Sequence, residues 1–561
     1  MINHKVIIDK LRLFMKSKNL DFFIVNSTDE YLNEYVDLSE NSRYILTGFS
    51  GSTGNALVTR ENIFLFVDGR YHLQADNETD KNLITVVKLG INTSFQAALS
   101  EKITELSQPN QKIGFVSSKI SYFCFKELSK TFSDKNFECC EFEYDPILNE
   151  CRSTPYTHPV RHISTEYTGL TAEEKLNLTI KELDNADILV LTKLDEIAYI
   201  TNLRGNEIPY NSTFKAKAII NKNQNKCLIF TDLEKITKDI QAKLGKIFEF
   251  RQENTFIDYL NKNLSLDLPV NIDFNPYSTS LYIYRQLENT KNNLVEFTTN
   301  PISEMKSVKN NAELNHIQLC FKKTDIVINR AISWLNQNLE KKAKISEKDF
   351  ADKVKILFLE EGACDLSFET IAASGKNTAF IHYTNPDPQK YIEMGELVLL
   401  DCGAYFEGGY ATDVTRTFLA GGTKASPDPK AKQIYTKVLK ALLYGLNMEI
   451  DENTTGFDID KAVREILTKD IDESFKFSHG TGHGIGILVH EAPPRLGASD
   501  ICKTKLKPGM CFTIEPGLYN DDWGGVRLEN TVTIVKDNSK MKIKSLTNCK
   551  FDENLINSGN C

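Results

Sequence analysis

The chain of 561 residues reads His479-Gly480-Thr481-Gly482-His483-Gly484-Ile485-Gly486 in its C-terminal third. Because glycine has no Cβ, alternating glycines let the backbone approach other groups closely and adopt unusual dihedral angles. The spacing differs from the GxGxxG loop of dinucleotide-binding proteins. It also differs from the HExxH helix of zinc proteases, since His490-Glu491 is followed by Pro493 and Pro494. We therefore interpret the stretch as a loop that places histidines at a functional site.

Acidic residues at strand ends accompany this loop. Residues 396–401 predict a buried strand that ends in the carboxylate of Asp401, and residues 413–418 predict a strand that begins with Asp413. Glycines at 403, 408 and 409 favour a hairpin between them, in which the two aspartates face each other. One acid at a strand end is commonly a turn or cap residue, but two like charges in a dry site need a cation.

Two glutamates extend the acidic set. Glu515 ends a strand-like run that begins at Phe512, just before a proline turn. Residues 526–530 predict one strand, in which Arg527 and Glu529 point to the same face because side chains alternate along a strand. Each glutamate alone would be weak evidence, but together with the two aspartates they indicate a common site.

Four carboxylates with one imidazole form an oxygen-rich ligand set, which favours Mn²⁺, Mg²⁺ or similar ions over metals that prefer thiolates. Four negative charges balance two divalent ions. Two metals about 3.5–4 Å apart can hold a bridging hydroxide and polarise a scissile carbonyl. Four of the nine histidines lie in the same part of the chain: His382, His479, His483 and His490. The sequence therefore predicts a dinuclear hydrolytic site.

The first half of the chain contains a degenerate repeat. A helical face formed by Ile7, Leu11, Phe14 and Met15 precedes the apolar run 20–26. Similar strand-like runs recur about 165 residues later, where 186–191, 218–220 and 227–230 correspond to 20–26, 56–58 and 63–67. Two similar α/β domains are the natural interpretation.

Prolines and polar residues mark the predicted domain boundaries. Pro155 and Pro159 interrupt the periodicity between the repeats, and the stretch 288–302 is rich in Asn and Thr. We predict domains at 1–160, 161–302 and 303–561. The last of these begins with a long helix over about 311–340, followed by strands and by helices near 428–447 and 457–470.

Composition excludes several classes of protein. The net charge is −9 and the basic residues form no stripe, which argues against a nucleic-acid partner. The longest apolar run is far below the roughly 18 residues that a membrane span needs. We expect no signal peptide, because the N-terminal residues form an amphipathic pattern, and the 12 cysteines are irregularly spaced without a CxxC motif. We therefore expect a cytoplasmic protein with reduced thiols and no membrane association.

These residues resemble a known family. The last domain resembles the pita-bread metallopeptidases of family M24, which include methionine aminopeptidase, prolidase and aminopeptidase P. The whole chain, in its order of three domains, is similar to the cytosolic three-domain Xaa-Pro aminopeptidases. The matching motifs outside the last domain are Gly48-Phe49-Ser50-Gly51-Ser52-Thr53-Gly54, Asp68-Gly69-Arg70-Tyr71-His72-Leu73-Gln74-Ala75, Thr201-Asn202-Leu203-Arg204-Gly205-Asn206-Glu207-Ile208-Pro209-Tyr210-Asn211 and Lys306-Ser307-Val308-Lys309-Asn310.

The resemblance implies a fold and an activity. It implies an α/β protein with two creatinase-like N-terminal domains followed by a pita-bread catalytic domain. It implies hydrolysis, through a hydroxide that bridges two metal ions, that releases the N-terminal residue from peptides with proline at position 2. The implied metals are two divalent ions, Mn²⁺ first, with Zn²⁺ or Co²⁺ as alternatives, and the implied assembly is a homodimer.

The resemblance also implies roles for ten residues. Asp401 would bind one metal, His483 the other, and Asp413 and Glu529 would bridge both. Glu515 would bind metal and act as general base. Five further residues would contact the substrate or support the metal carboxylates: His382, His479, His490, Tyr519 and Arg527. Of these, His382 and His490 would stabilise the tetrahedral intermediate or the leaving proline nitrogen.

Two departures from the family pattern stand out. Asp401 and Asp413 are 12 residues apart, one more than usual, so we expect a bulge or longer turn within 405–411. The chain ends soon after residues 548–551, where family members usually continue through another helical segment that is often part of the subunit contact. We therefore expect 555–561 to be a frayed tail and the homodimer to be weakened or altered.

Three alternative functions remain open. A prolidase restricted to Xaa-Pro dipeptides would share the ligands, but the doubled N-terminal unit argues against it. A non-catalytic binding module on the same fold would have lost ligands, and all five are present here. Creatinase-like amidinohydrolysis fits worst, because those enzymes lack the metal set.

Overall fold

The N-terminal helix α1 (His4–Ser17) begins where the sequence pattern places it, because Asn3 caps it and Ile7, Leu11 and Met15 face the core. The computed structural model describes residues 2–148, 159–183, 186–264, 270–296, 300–538 and 540–557. The chain divides into two units. The first comprises Met1–His162, Leu170–Pro209 and Thr213–Ser303, and the second comprises Ile163–Gly169, Tyr210–Ser212 and Glu304–Cys561.

The first unit contains two six-stranded sheets with helices. The first sheet and its helices comprise β1 (Phe22–Val25), α2 (Ser42–Thr47), β2 (Asn55–Thr59), β3 (Ile63–Val67), α3 (His72–Glu78), β4 (Thr85–Lys88), α4 (Phe95–Leu106), β5 (Lys112–Val116), α5 (Tyr122–Asp134) and β6 (Glu138–Phe142). The next elements along the chain are β7 (Arg161–His162), α6 (Thr165–Thr168), α7 (Ala172–Glu182), β8 (Ile188–Leu191), α8 (Leu194–Thr201), β9 (Leu203–Arg204), β10 (Ala216–Asn221), β11 (Lys226–Thr231), α9 (Lys238–Leu244), β12 (Phe248–Gln252), α10 (Phe256–Asn263), β13 (Asn271–Phe274), α11 (Leu281–Asn289), β14 (Asn293–Glu296) and α12 (Pro301–Ser307). Of these, α6 and the residues of α12 from Glu304 onward belong to the second unit.

The predicted repeat is confirmed by the strand order. The sheets run β4-β3-β2-β1-β5-β6 and β12-β11-β10-β8-β13-β14. Strand β1 is antiparallel to β2 and parallel to β5, and β8 is likewise antiparallel to β10 and parallel to β13. Equivalent positions therefore carry equivalent pairings, and the predicted α/β class holds. The predicted boundary near 151–160 falls mostly outside the described residues, so the three domain limits stay a prediction.

The second unit contains the remaining elements. They are α13 (Asn311–Glu340), α14 (Glu347–Glu360), β15 (Asp365–Leu366), β16 (Ile371–Ser374), β17 (Leu397–Cys402), β18 (Ala404–Tyr405), β19 (Val414–Leu419), α15 (Pro429–Leu446), α16 (Gly456–Thr468), β20 (Gly482–His483), β21 (Arg495–Leu496), β22 (Cys511–Ile514), β23 (Gly517–Asn520), β24 (Gly524–Arg527), β25 (Asn530–Asp537) and β26 (Lys540–Ser545). The long helix predicted over 311–340 is confirmed as α13. Helices α15 and α16 lie within two residues of their predicted bounds.

The core of the second unit forms where α15 and α16 contact the strands. Val438 and Leu442 of α15 and Val463 of α16 share one buried cluster with Ile514 and Val532. Strands β16, β17 and β19 form one sheet, and β22, β25 and β26 form another. Among the described residues, every helix is too short or too polar to span a bilayer.

The hairpin between Asp401 and Asp413 has a long turn and keeps one register. Tyr405 pairs with Ala411, Cys402 pairs with Val414, and the Gly409 amide donates to the carbonyl of Phe406. The additional residue is therefore accommodated by a longer turn. The alternative prediction, a bulge within 405–411, is wrong.

Two sequence predictions are wrong in this unit. Residues 526–530 are not one strand, because β24 ends at Arg527 and β25 starts at Asn530. The tail is not frayed where it begins, since Leu555 is fully buried in the core and the Asn557 amide donates to Thr436 Oγ1 at 2.9 Å. Residues 558–561 lie outside the described part of the chain.

Candidate metal centre

The two aspartates lie on one face of the hairpin formed by β17 and β19. Asp401 pairs with Thr415, and Asp413 precedes Thr415 by two residues. Because cross-strand partners and alternate residues of a strand share a face, both carboxylates point the same way. A Cβ on Gly403 would lie 1.8 Å from the Thr412 carbonyl oxygen, so the strands approach this closely only with glycine there.

His483 lies on the short strand β20 and points to Asp413 and Glu515. Its Nε2 is 3.4 Å from Asp413 Oδ2 and 3.7 Å from Glu515 Oε1. Its Nδ1 lies 3.1 Å from the carbonyl oxygen of Gly484. A carbonyl can only accept, so Nδ1 carries the proton and the Nε2 lone pair faces the carboxylates. This is the tautomer that a metal-binding histidine requires.

The two glutamates enter from neighbouring strand ends. Glu515 follows β22, and its amide donates to the Thr481 carbonyl at 2.8 Å. Glu529 lies in the two-residue break between β24 and β25, where its amide donates to the Thr415 carbonyl at 3.1 Å. One ligand atom each from Asp413, His483 and Glu529 lie within 4.8 Å of one another.

The clustered carboxylates repel one another. Burial raises the pKa of Asp413 well above its ordinary value, and the charges of Asp401 and Glu515 raise it further. Burial also raises the pKa of Glu529, with Asp413 adding to the effect. Burial is the main reason that the pKa of Glu515 is raised. Such a cluster is stabilised by positive charge.

Two buried carboxylate oxygens in this cluster are available to bind cations. Asp401 Oδ1 and Glu529 Oε1 are buried and have no hydrogen-bond partner among the described residues. A buried carboxylate oxygen without a partner is costly. Four carboxylates and one imidazole are suitable donors for divalent ions of the Mn²⁺ type. The residues therefore fit a pair of divalent cations.

Arg527 supplies one positive charge beside the cluster and organises it. Its guanidinium is buried and donates to Asp401 Oδ2 at 2.7 Å, to Thr415 Oγ1 at 3.1 Å and to Tyr519 Oη at 3.0 Å. It also donates to the Ile381 carbonyl at 3.1 Å. One guanidinium cannot balance four carboxylates, so Arg527 orients Asp401 and leaves an excess of negative charge in the cluster.

The three remaining histidines lie around this cluster. His479 Nδ1 donates to the Gly480 carbonyl, and its Nε2 accepts from Tyr519 Oη at 2.9 Å. The ring of His490 lies 4.4 Å from that of His483, at an interplanar angle of 76°. His382 is half-buried and directly follows Ile381, whose carbonyl is held by Arg527.

Sequence reasoning missed several residues of this site. Thr415 Oγ1 accepts from Arg527 and donates to Glu529 Oε2 at 2.9 Å. The period-two pattern could have found it, because it follows Asp413 by two residues on the same strand. Lys306 and Lys309 stood only in a family motif, yet both pair with buried Glu491, next to His490.

Comparisons with known proteins identify the families that the chain resembles. The profile of Metallopeptidase family M24 matches residues 315–536, and two Creatinase/Prolidase N-terminal domain profiles match 7–153 and 152–313. The probable Xaa-Pro aminopeptidase P of Coprinopsis cinerea is 31% identical over 99% of this chain and 92% of its own length.

Two solved structures share the fold. The X-prolyl aminopeptidase of Caenorhabditis elegans, described as a cytosolic enzyme with a di-nuclear active site, superposes with a TM-score of 0.91 at 24% identity, over 100% of this chain and 93% of that one. The Xaa-Pro dipeptidase of Bacillus anthracis reaches a TM-score of 0.56 at 26% identity, over 68% of this chain and 99% of its own. With these matches along its whole length, the chain belongs to the Xaa-Pro aminopeptidase P family of M24 metallopeptidases.

Proposed function

We propose that this chain is a metal-dependent aminopeptidase that releases the N-terminal residue from peptides with proline at position 2. The observation that carries the proposal is the cluster of four carboxylates and one imidazole, in a chain that matches 92% of the length of a relative named a probable Xaa-Pro aminopeptidase P. A non-catalytic module would have no use for buried, mutually repelling acids that keep two oxygens without partners.

The proposed ligands are those that the sequence predicted. Asp401, Asp413, His483, Glu515 and Glu529 would hold two divalent ions, with Asp413 and Glu529 shared between them. We propose Mn²⁺ as the resident metal, with Zn²⁺ and Co²⁺ as the alternatives to test. When bound, the ions would supply a water nucleophile at neutral pH and draw electron density from the scissile carbonyl.

The proton transfers fall to side chains of the chain itself. Glu515 lies between His483 and His479, with oxygens 3.7 Å and 3.9 Å from their nitrogens. Burial raises the pKa of Glu515 in the absence of metal, whereas bound cations would lower it and keep the carboxylate form that accepts a proton. Glu515 would take the proton of the attacking water and deliver it to the proline nitrogen as the C–N bond breaks.

Histidines at the rim would bind the substrate. His382 and His490 are both half-buried, which leaves their rings accessible to a peptide. They would stabilise the negative charge that develops on the carbonyl oxygen. His479 is buried and bonded to Tyr519, so it would line the pocket. Arg527 holds Asp401 and the Ile381 carbonyl, and the Tyr519 hydroxyl supports Arg527 by accepting from its guanidinium.

An aminopeptidase fits the chain better than a dipeptidase. The Bacillus anthracis dipeptidase accounts for 68% of this chain, whereas the aminopeptidase P relative accounts for 99%. The feature that favours the aminopeptidase is the presence of two six-stranded sheets in the first unit. Prolidase activity on Xaa-Pro dipeptides remains the second candidate.

Substrate length and metal dependence test both candidates together. The metal-free protein is reconstituted with Mn²⁺, Zn²⁺ or Co²⁺, and cleavage of Arg-Pro-Pro is compared with cleavage of Arg-Pro and of Arg-Ala-Pro. We expect release of arginine from Arg-Pro-Pro alone, fastest with Mn²⁺ and abolished by chelator. Faster cleavage of Arg-Pro would establish the prolidase, and metal-independent cleavage would reject both.

We also propose a cytoplasmic location and a homodimer. Ten described cysteines are free, which suits a reducing compartment, and the Caenorhabditis elegans enzyme is described as cytosolic. The dimer rests on the family resemblance alone. Light scattering during gel filtration would decide it, since a species of 63.6 kDa would indicate a monomer.

A further inference from the structure

Glu347, the first residue of α14, is a fully buried carboxylate with an unusual number of partners. Its Oε1 accepts from the Ser374 amide at 2.6 Å, Ser374 Oγ at 3.0 Å and Asn377 Nδ2 at 3.2 Å. Its Oε2 accepts from Asn377 Nδ2 at 3.1 Å, Tyr383 Oη at 2.7 Å and the Asp387 amide at 3.4 Å. Both oxygens of this side chain are therefore committed to one neighbouring segment.

The five groups that donate these six hydrogen bonds are all neutral. A buried carboxylate without a cationic partner is tolerated only when hydrogen bonds replace its hydration. The position helps, because the first turn of a helix favours negative charge, and Ser346 caps this helix with Asp349 in a capping box. Burial still raises the pKa of Glu347, although the bonds from Tyr383, Ser374 and Asn377 lower it. The arrangement is costly for a side chain that only fills space.

The donors belong to residues 374–387, which have little regular structure beyond the short 3₁₀ helix Gly375–Ala379. The conformation of this segment must therefore come from side-chain contacts. On its other side, Arg527 donates to the Ile381 carbonyl, and Thr378 Oγ1 accepts from the Gly525 amide at 2.7 Å. Arg527 is the same side chain that holds Asp401.

His382 lies between two anchored neighbours. Ile381 is fixed by Arg527 and thereby to the carboxylate cluster, and Tyr383 is fixed by Glu347. We propose that Glu347 is a positioning residue, which acts through the Tyr383 hydroxyl to set the place of His382 relative to the carboxylate cluster. The proposal deepens the proposed function and rests on it, since His382 matters there as a substrate contact.

A double-mutant cycle on the metal-loaded protein tests the proposal. Tyr383→Phe removes one hydroxyl, and we expect kcat for Arg-Pro-Pro to fall about 10-fold to 100-fold with KM and bound metal unchanged, because misplacing a reacting group acts on the chemical step. In a His382→Ala background the same substitution should have no further effect. An equal loss of kcat in both backgrounds, or a change in KM or metal content instead, would overturn the proposal.

A matched control excludes a general loss of packing. Tyr435 is a fully buried tyrosine of α15, and its hydroxyl accepts from the Asp552 amide at 2.8 Å. Tyr435→Phe removes a comparable bond away from His382, so kcat should stay at the wild-type value. A loss of kcat equal to that of Tyr383→Phe would contradict a specific role for Tyr383.

Hydrogen exchange of the metal-free protein separates this proposal from the proposed function. Glu347→Gln replaces one acceptor oxygen with a donor, so we expect faster amide exchange in residues 380–387 and unchanged exchange in α15. Unchanged exchange in 380–387 would overturn the positioning role. If wild-type protein cleaved no Xaa-Pro peptide with any metal, the proposed function would fail. The exchange rates of Glu347→Gln and wild type would still show whether Glu347 fixes the segment that contains His382.

Discussion

Asp401 and Glu529 use their two oxygens differently. Asp401 Oδ2 accepts from Arg527, and Glu529 Oε2 accepts from Thr415, while Asp401 Oδ1 and Glu529 Oε1 have no hydrogen-bond partner among the described residues. One oxygen of each carboxylate therefore fixes its orientation and the other remains available to a cation. Thr415 couples the two, because its hydroxyl also accepts from Arg527.

Replacing Asp413 with Asn tests the carboxylate cluster. Metal-dependent cleavage of Arg-Pro-Pro should fall at least about 100-fold, because one of the proposed metal ligands would be lost. The metal-free variant should melt at a higher temperature than metal-free wild type, since one of four buried negative charges is gone. Activity assays and calorimetry on both forms measure this.

A matched control for Asp413 is Asp325, a buried aspartate that accepts from the amides of Asn548 and Cys549. Asp325→Asn should lower stability and keep activity. Undiminished activity of Asp413→Asn would refute the assigned site.

Asp273 in β13 gives a pH-dependent prediction. Burial raises its pKa to about 6, against about 3.9 for an unfolded aspartate. The folded protein then binds this proton more tightly than the unfolded chain, so the free energy of unfolding falls as pH rises from about 4 to about 6. Asp273→Asn should raise the melting temperature at pH 7.5 and have little effect at pH 4.5. Equal shifts at both pH values would show that charge is not the cause.

Sequence alone indicated which side chains form the candidate site, but not how they are held. The acids stood at strand ends and the histidines among glycines, which are local signals. Thr415 and Glu529, by contrast, are 114 residues apart, and Glu347 and Tyr383 are 36 apart. Contacts of this kind depend on the fold, so a single sequence gives no local pattern for them.

At the scale of elements, the loop that follows β20 folds around the carboxylate of Glu491. Glu491 accepts from the Ile487 amide at 2.8 Å and pairs with Lys306 at 3.1 Å and Lys309 at 3.3 Å, all three side chains being buried. A Cβ on Gly486 would lie 2.1 Å from Glu491 Oε1, so any larger residue there would displace this carboxylate. Because His490 precedes Glu491, this ionic cluster also holds the histidine that faces His483.

Glu491→Gln tests this cluster. Removing one partner leaves two buried lysines without their counterion, so the free energy of unfolding should fall by about 3–5 kcal/mol. The kcat should fall as well, because His490 loses its support. Denaturant titration and kinetics measure the two effects.

Glu304→Gln is the matched control, because Glu304 pairs with Lys507 at 2.7 Å on the surface. Its effect should stay below about 1 kcal/mol. Equal destabilisation by the two substitutions would argue against a special role for the buried cluster.

Elements were predicted well where periodicity is long and poorly where a strand changes sheets. The 30 residues of α13 carry a sustained apolar face and a capping box at Asn310, so its bounds follow from sequence. The break at residues 528 and 529 does not, because its cause is tertiary: the Leu528 amide donates to Pro516 and that of Glu529 to Thr415. The broken strand is what turns Glu529 toward the aspartates.

At the scale of the whole molecule, the first unit holds the duplicated sheets and the second holds all ten predicted site residues. Metal removal should therefore act on one unit only. After chelation we expect faster amide exchange around Asp401, Asp413, His483 and Glu515, and unchanged exchange in β1–β6. Added Mn²⁺ should restore protection and raise the melting temperature in a concentration-dependent way. Uniform changes in both units would contradict a localised metal centre.

The proposed ligands all lie late in the chain, and this has a consequence for biosynthesis. The sheets of the first unit are complete at Glu296, before any proposed ligand has been translated. Ser212, whose hydroxyl donates to the carbonyls of Gly409 and Ile487, must wait for partners 197 and 275 residues further on. Since domains fold as units during synthesis, N-terminal first, a nascent chain carries a finished first unit while its carboxylate cluster does not yet exist. Metal binding would therefore occur late in the synthesis and folding of each molecule. The ions that bind would be those present after the ribosome has added Glu529.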